Sequence, residues 1–276
     1  MKYVFYILML VLFSACEELE SDIDIKPGES KLVLSAYLTP NDSVINVQLF
    51  QTLPLLGEGI DPNVYGAIIT ITDGTTTDTF SYVRDEMLYK LSKTVEAGKT
   101  YTIKAIASDG RWAEASCTVP KQANLDFDYT IDTVVNNNEI EYIVTMQWTD
   151  VNINDNVYYR TDVELYYVII DTLSGEFQFI TKELEANTAE LMQPLGNGQT
   201  MQIIYRSDKE LRNVMKFMEL HLLMVDEEYY KFERAKKNNY SGFPNYEYTR
   251  LYSNVKNGFG IVASYNNYVI KPLNIN

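Results

Sequence analysis

The chain has 276 residues and a formal charge of −15 at pH 7, from 23 basic against 38 acidic side chains, with 1 histidine and 2 cysteines. This balance argues against nucleic acid and anionic lipid surfaces as partners, because phosphates are bound by clustered Lys and Arg and no such cluster is visible. One His and so few Cys cannot supply the common zinc-ligand sets. The length suffices for a sizeable core, in one large or two moderate domains.

The chain opens on Lys2, an apolar run over residues 3–13, and then Ser14-Ala15-Cys16. One charge, a short apolar run and small residues ahead of a cysteine read as a lipoprotein signal peptide over residues 1–15, too short for a span of ~20 residues. The spacing predicts lipidation of Cys16, which anchors the protein to a membrane without spanning it. Phe13 stands where most such signals carry Leu, and the alternative is an ordinary cleaved signal that leaves Cys16 as a thiol. Residues 16–30 form a lipidated tether, with five carboxylates and no base between Glu17 and Asp24. Such a segment is too charged to fold alone. It resembles the surface-export signal of Bacteroidota lipoproteins, which implies an outer-membrane protein facing out of the cell; the alternative is a plain spacer facing the periplasm. With residues 1–15 removed, 22 bases remain against 38 acids, a charge of −16.

Residues 31–38 and 44–50 have strand character and are separated by the turn cluster Thr39-Pro40-Asn41-Asp42. Residues 67–72 and 77–83 flank Asp73-Gly74 and predict a hairpin. Short strands follow at 87–91, 100–107 and 112–119, and Pro120 closes the unit. Strands about every ten residues without helical periodicity predict an antiparallel β-sandwich over residues 31–120. Cys117 alternates in phase with Ala113, Ala115 and Val119, as a small buried hydrophobe does, and a nucleophile is the lesser reading.

A second sandwich, fibronectin-like in strand spacing, is predicted over residues 121–276. Its strands are 125–135, 139–148, 157–171, 176–183, 199–206 and 214–225, with Ile140, Tyr142, Val144, Met146 and Trp148 on one face. The period then changes. Asp226 can cap a helix over about 227–237, with Glu227 and Glu228 in the first turn and Arg234, Lys236 and Lys237 in the last. Its Tyr229, Tyr230 and Phe232 can pack on the sheet or face outward, and a stripe facing the core is the favoured reading.

Chemistry is sparse. His221 lies in a strand pattern beside Glu219, where a hydrogen-bonded structural histidine is favoured over a general base. Paired carboxylates could hydrolyse glycosides, but spacing alone selects no pair. Asp126-Phe127-Asp128 and residues 150–155 resemble pieces of calcium loops; a polar turn is the favoured reading, and no cofactor or resident metal is expected.

Ser241-Gly242-Phe243-Pro244, followed by Leu251-Tyr252-Ser253-Asn254-Val255-Lys256-Asn257-Gly258-Phe259-Gly260-Ile261-Val262, has the look of a signature. It resembles the closing motif of family 4249 of domains of unknown function, Bacteroidota lipoproteins with a Pro-containing loop leading to Tyr-Ser-Asn-x-x-Asn-Gly-x-Gly. The lipobox, the strand at 67–73, Gly98-Lys99-Thr100-Tyr101-Thr102 and Thr118-Val119-Pro120 occur in the same order. Gly242 stands where many relatives have Asn or another polar residue. The resemblance implies a non-enzymatic surface lipoprotein accompanying a TonB-dependent outer-membrane receptor in nutrient uptake. It marks Phe243, Pro244, Tyr252, Ser253, Asn254, Asn257, Gly258 and Gly260 as a segment that either locks the last strand onto the second sandwich or meets a partner. The rivals are an independent glycan- or peptide-binding module, motivated by 22 Tyr whose rings can stack on sugars, and a carboxylate hydrolase.

Overall fold

Alternation of apolar and polar side chains sets the strands, and the computed structural model describes residues 29–53, 61–121, 125–137, 139–150, 158–170, 177–187, 190–193, 199–211, 215–240 and 251–275. In the first half, β1 (Leu32–Leu38), β2 (Val44–Gln51), β3 (Ile68–Thr72), β4 (Thr77–Thr79), β5 (Ser81–Val83), β6 (Leu88–Ser92), β7 (Thr100–Ile106) and β8 (Trp112–Thr118) follow one another. In the second half come β9 (Leu125–Asn136), β10 (Glu139–Asp150), β11 (Tyr158–Ile170), β12 (Phe177–Glu183), β13 (Glu185–Ala186), β14 (Leu191–Met192), β15 (Thr200–Arg206), β16 (Glu210–Leu211) and β17 (Met215–Val225). Helix α1 (Glu227–Tyr240) and β18 (Gly258–Asn274) complete the chain. The fold is mainly β, as the sequence predicts.

One long sheet carries the order β12-β11-β17-β18-β1-β2-β6-β5, with β14 on β11. The sheet β4-β3-β7-β8 packs on part of it, and the sheet β13-β15-β10-β16, with β9 on β10, on another. Each overlap encloses a core. Leu32, Leu34, Val47, Ile69, Ile71, Ile103, Ala113 and Cys117 belong to the first. Val144, Met146, Trp148, Val163, Leu165, Ile203, Leu220 and Leu222 belong to the second. Cys117 is the small buried hydrophobe its alternation predicts, and burial pushes its thiol well above the ordinary value.

Two features depart from the predicted strands. The segment 77–83 is not one strand: Phe80, 5% exposed, drops into the core between the sheets, and its N–H bonds the Ile69 carbonyl at 2.9 Å. The chain therefore leaves β3 after β4 and joins β6 as β5. The second is β18, which runs to Asn274 and serves both halves. Its first part, Gly258 to Ser264, pairs with Leu32 to Leu38 in parallel, a departure from an all-antiparallel fold. Its second part, from Tyr265, pairs antiparallel with β17.

Candidate functional site

The segment flagged in the sequence lies where β18 meets β1, and the structure gives its residues inward-facing work. Gly258 sits opposite Leu32 and Gly260 opposite Leu34 in the parallel register. A Cβ on Gly258 would stand 2.5 Å from the Leu32 carbonyl oxygen. One on Gly260 would stand 2.9 Å from the Leu34 carbonyl carbon and closer still to its oxygen, and the Gly260 φ of +110° disfavours any side chain. Asn257 precedes them at φ 56°, a left-handed conformation that Asn tolerates better than most residues. These three residues let β18 lie against β1.

Asn254 acts as a substitute strand neighbour. Its Oδ1 accepts the Val262 N–H at 3.0 Å, and its Nδ2 donates to the carbonyls of Val262 at 2.7 Å and Ser116 at 3.2 Å. The Ser253 hydroxyl accepts the Val255 N–H at 3.2 Å, and Lys256 exchanges backbone hydrogen bonds with Glu114 of β8. Tyr252 reaches the helix, its hydroxyl donating to Glu228 Oε2 at 2.5 Å. The described part of the motif thus fastens to β1, β8 and α1, so the glycines meet the first core rather than the second sandwich that the sequence suggested. Phe243, Pro244 and Cys16 lie outside the described residues, as do residues 151–155 of the second candidate calcium loop. Asp126 and Asp128 are exposed in strand β9 rather than in a loop.

Asp226 joins this seam to the helix. Its Oδ1 accepts the Tyr229 N–H at 2.8 Å, the cap predicted from sequence, and its Oδ2 accepts the Ser264 N–H at 2.9 Å. The Ser264 hydroxyl stands 2.7 Å from the same oxygen and 2.9 Å from the Thr118 carbonyl oxygen. Two acceptors therefore compete for one hydroxyl proton. Burial pushes the Asp226 carboxyl up to about 7, against the pull of the hydrogen bonds it accepts. When protonated, Asp226 can donate a hydrogen bond to the Ser264 Oγ, which frees the serine hydroxyl to donate to the Thr118 carbonyl. Because this folded-state value lies above the unfolded one, the native state binds the extra proton between about pH 4 and 7, and stability falls as pH rises through that window. The expected slope amounts to roughly 2–4 kcal/mol across it. Urea midpoints from pH 4.5 to 8, for the protein and for Asp226→Asn, check this: the variant should lack that part of the slope.

The helix lies on the long sheet's outer face. Val225, Tyr229, Tyr230, Ile261 and Ala263 form its buried contact, with Tyr37, Tyr158, Phe232, Tyr252 and Tyr265 around them. Tyr158 stacks on Tyr230 at 4.3 Å, and Tyr37 meets Tyr229 edge-on at 5.5 Å. Several of the abundant tyrosines are used in this packing.

Beyond the helix the same face carries charge. On β11, Arg160, Asp162, Glu164 and Tyr166 point outward, paired with Leu223, His221, Glu219 and Phe217 of β17. Arg160 donates to the Tyr229 hydroxyl through a guanidinium N–H and stands 3.8 Å from Asp162. Tyr166 donates to Glu164, lies 3.3 Å from Glu219 and stacks on Phe217 at 4.5 Å. Desolvation raises the Asp162 carboxyl, with His221 and Arg160 pulling the other way. The His221 Nε2 atom stands 3.6 Å from the nearest Glu219 oxygen, beyond hydrogen-bond distance. Sequence reasoning saw His221 and Glu219 on one strand face and missed Asp162 and Glu164, which arrive opposite them across 59 and 55 residues of chain through the β11–β17 register.

The sequence profile "Domain of unknown function (DUF4249)" matches residues 17–270. The chain belongs to that family. No curated protein matches it.

Proposed function

We propose that this is a non-enzymatic surface lipoprotein, anchored to the outer membrane through lipid on Cys16, that helps a TonB-dependent receptor capture or admit a nutrient. The observation that carries the proposal is the Ser14-Ala15-Cys16 signal followed by five carboxylates, in a chain belonging to this family. The role fits a β body held on a solvated leash, since a lipid anchor with an acidic spacer keeps a folded domain beside a membrane without burying it there. In this reading recognition is an interface property, and no residue is assigned to catalysis.

Purification of the native membrane complex in mild detergent tests the partnership. The expected result is co-recovery with a receptor at matching stoichiometry, and recovery of the protein alone would count heavily against it. Cys16→Ser is expected to abolish fatty-acid probe incorporation and to move the protein out of the membrane fraction. Unchanged labelling and fractionation would remove the anchor from the proposal.

A further inference from the structure

The strongest feature outside the seam is the group on the outer face of β11 and β17. One ligand atom from each of Glu164, Glu219 and His221 lies within 4.8 Å of the other two. The His221 Nε2 atom is 3.6 Å from Glu219, 3.9 Å from Asp162 and 4.0 Å from Glu164. It is shielded from solvent and has no hydrogen-bond partner among the described residues. A nitrogen turned away from water among three carboxylates lacks something to bind, since buried polar atoms are ordinarily satisfied. The side chain as a whole is 18% exposed, so the group lies near the surface of the sheet rather than in its core.

From this geometry we infer a binding site for one divalent transition-metal ion, held by His221 Nε2, Glu164 and Glu219, with the Asp162 carboxylate nearby adding negative charge. An ion with ligands at ~2.0–2.2 Å needs its donors a little over 3 Å apart, so the His221–Glu219 and His221–Glu164 pairs, at 3.6 and 4.0 Å, have less than an ångström to close. The donors are well set. They project from adjacent strands whose inward neighbours, Val163, Leu165, Leu220 and Leu222, are fully buried. The Tyr166 hydroxyl bonds the Oε2 atoms of both glutamates, the oxygens that also face His221, and so helps to hold the two carboxylates in place. Charge agrees, because the nearby guanidinium of Arg160 is shared between Asp162 and Tyr229, while Glu183 of β12, opposite Glu164, adds a further acid. An imidazole ligand favours zinc and its first-row neighbours over calcium or magnesium.

The test uses the full, untagged chain in detergent, stripped with chelator and titrated with zinc chloride. Since the chain has 1 histidine, its imidazole signals in long-range proton–nitrogen spectra belong to His221 alone. The expected result is saturable uptake of one zinc per chain, with the His221 ring signals shifting in step. His221→Gln and Glu219→Gln should each lower the zinc affinity at least tenfold, while Asp126→Asn and Asp128→Asn on exposed β9 leave it unchanged. If either of the first two fails to fold, Glu164→Gln serves in its place, and the ring signals of the unaltered protein decide by themselves. Absence of saturable uptake, uptake that leaves those signals unmoved, or affinity retained in folded His221→Gln would each overturn the assignment.

Discussion

Replacing Gly260 by alanine is expected to leave little folded protein. A residue forced to a left-handed φ costs about 1–3 kcal/mol, and here the new methyl also strikes the backbone of Leu34. That atom belongs to a paired strand in the middle of the long sheet and cannot move aside without opening the pairing with β2. The combined cost should exceed about 4 kcal/mol, a large part of an ordinary domain's stability of ~5–15 kcal/mol. Gly74→Ala is the matched control: its φ is +89° but nothing lies within 4 Å of the added atom, so only the backbone term of about 1 kcal/mol applies. Urea unfolding followed by circular dichroism compares the two. Equal midpoints would show that β18 does not approach β1 as closely as this register requires.

Asp226→Ala is expected to be the most damaging change to a polar side chain. It removes the helix cap, worth about 1 kcal/mol, and strips an acceptor from the buried Ser264 N–H, worth about 1–3 kcal/mol more. The total should be roughly 2–4 kcal/mol near pH 5, where the native carboxyl is protonated, and smaller at pH 8, where its buried charge already weakens the parent. Native-state hydrogen exchange should show faster opening of α1 along with the middle of β18 around Ser264, because Asp226 bonds both. Ser264→Ala in the same background should add less than it costs alone, since the two side chains share a hydrogen bond at 2.7 Å. Full additivity would deny that they act as a unit.

The strand-rich character of this chain was legible because the alternation in residues 32–38, 100–106 and 139–148 matches what is buried, and the helix because Asp226 and its acidic first turn announce it. Phe80 shows one limit. Its β-rich surroundings give no hint that a single inward aromatic will carry the backbone from one sheet to the next. The seam shows another: Gly258 and Gly260 were visible as members of a motif, but local sequence could not name Leu32 and Leu34, more than 220 residues away, as what they approach. The outer-face site was half legible for the same reason. His221 and Glu219 share a strand, whereas Asp162 and Glu164 join them only through pairing, and period-2 reading says which face a residue takes without saying who stands opposite.

The pairing of the first strand with the last has a kinetic meaning. A chain made from its amino terminus presents β1 and β2 long before β18 exists, so one side of β1 keeps its hydrogen-bonding groups open until synthesis is almost complete. Closing a loop of such length is slow, and an open strand margin is the kind of surface on which neighbouring copies associate. Timing therefore belongs to the physiology of this protein: shielding is needed during assembly rather than afterwards, and a chain cut short before residue 258 would carry that adhesive margin for its whole lifetime.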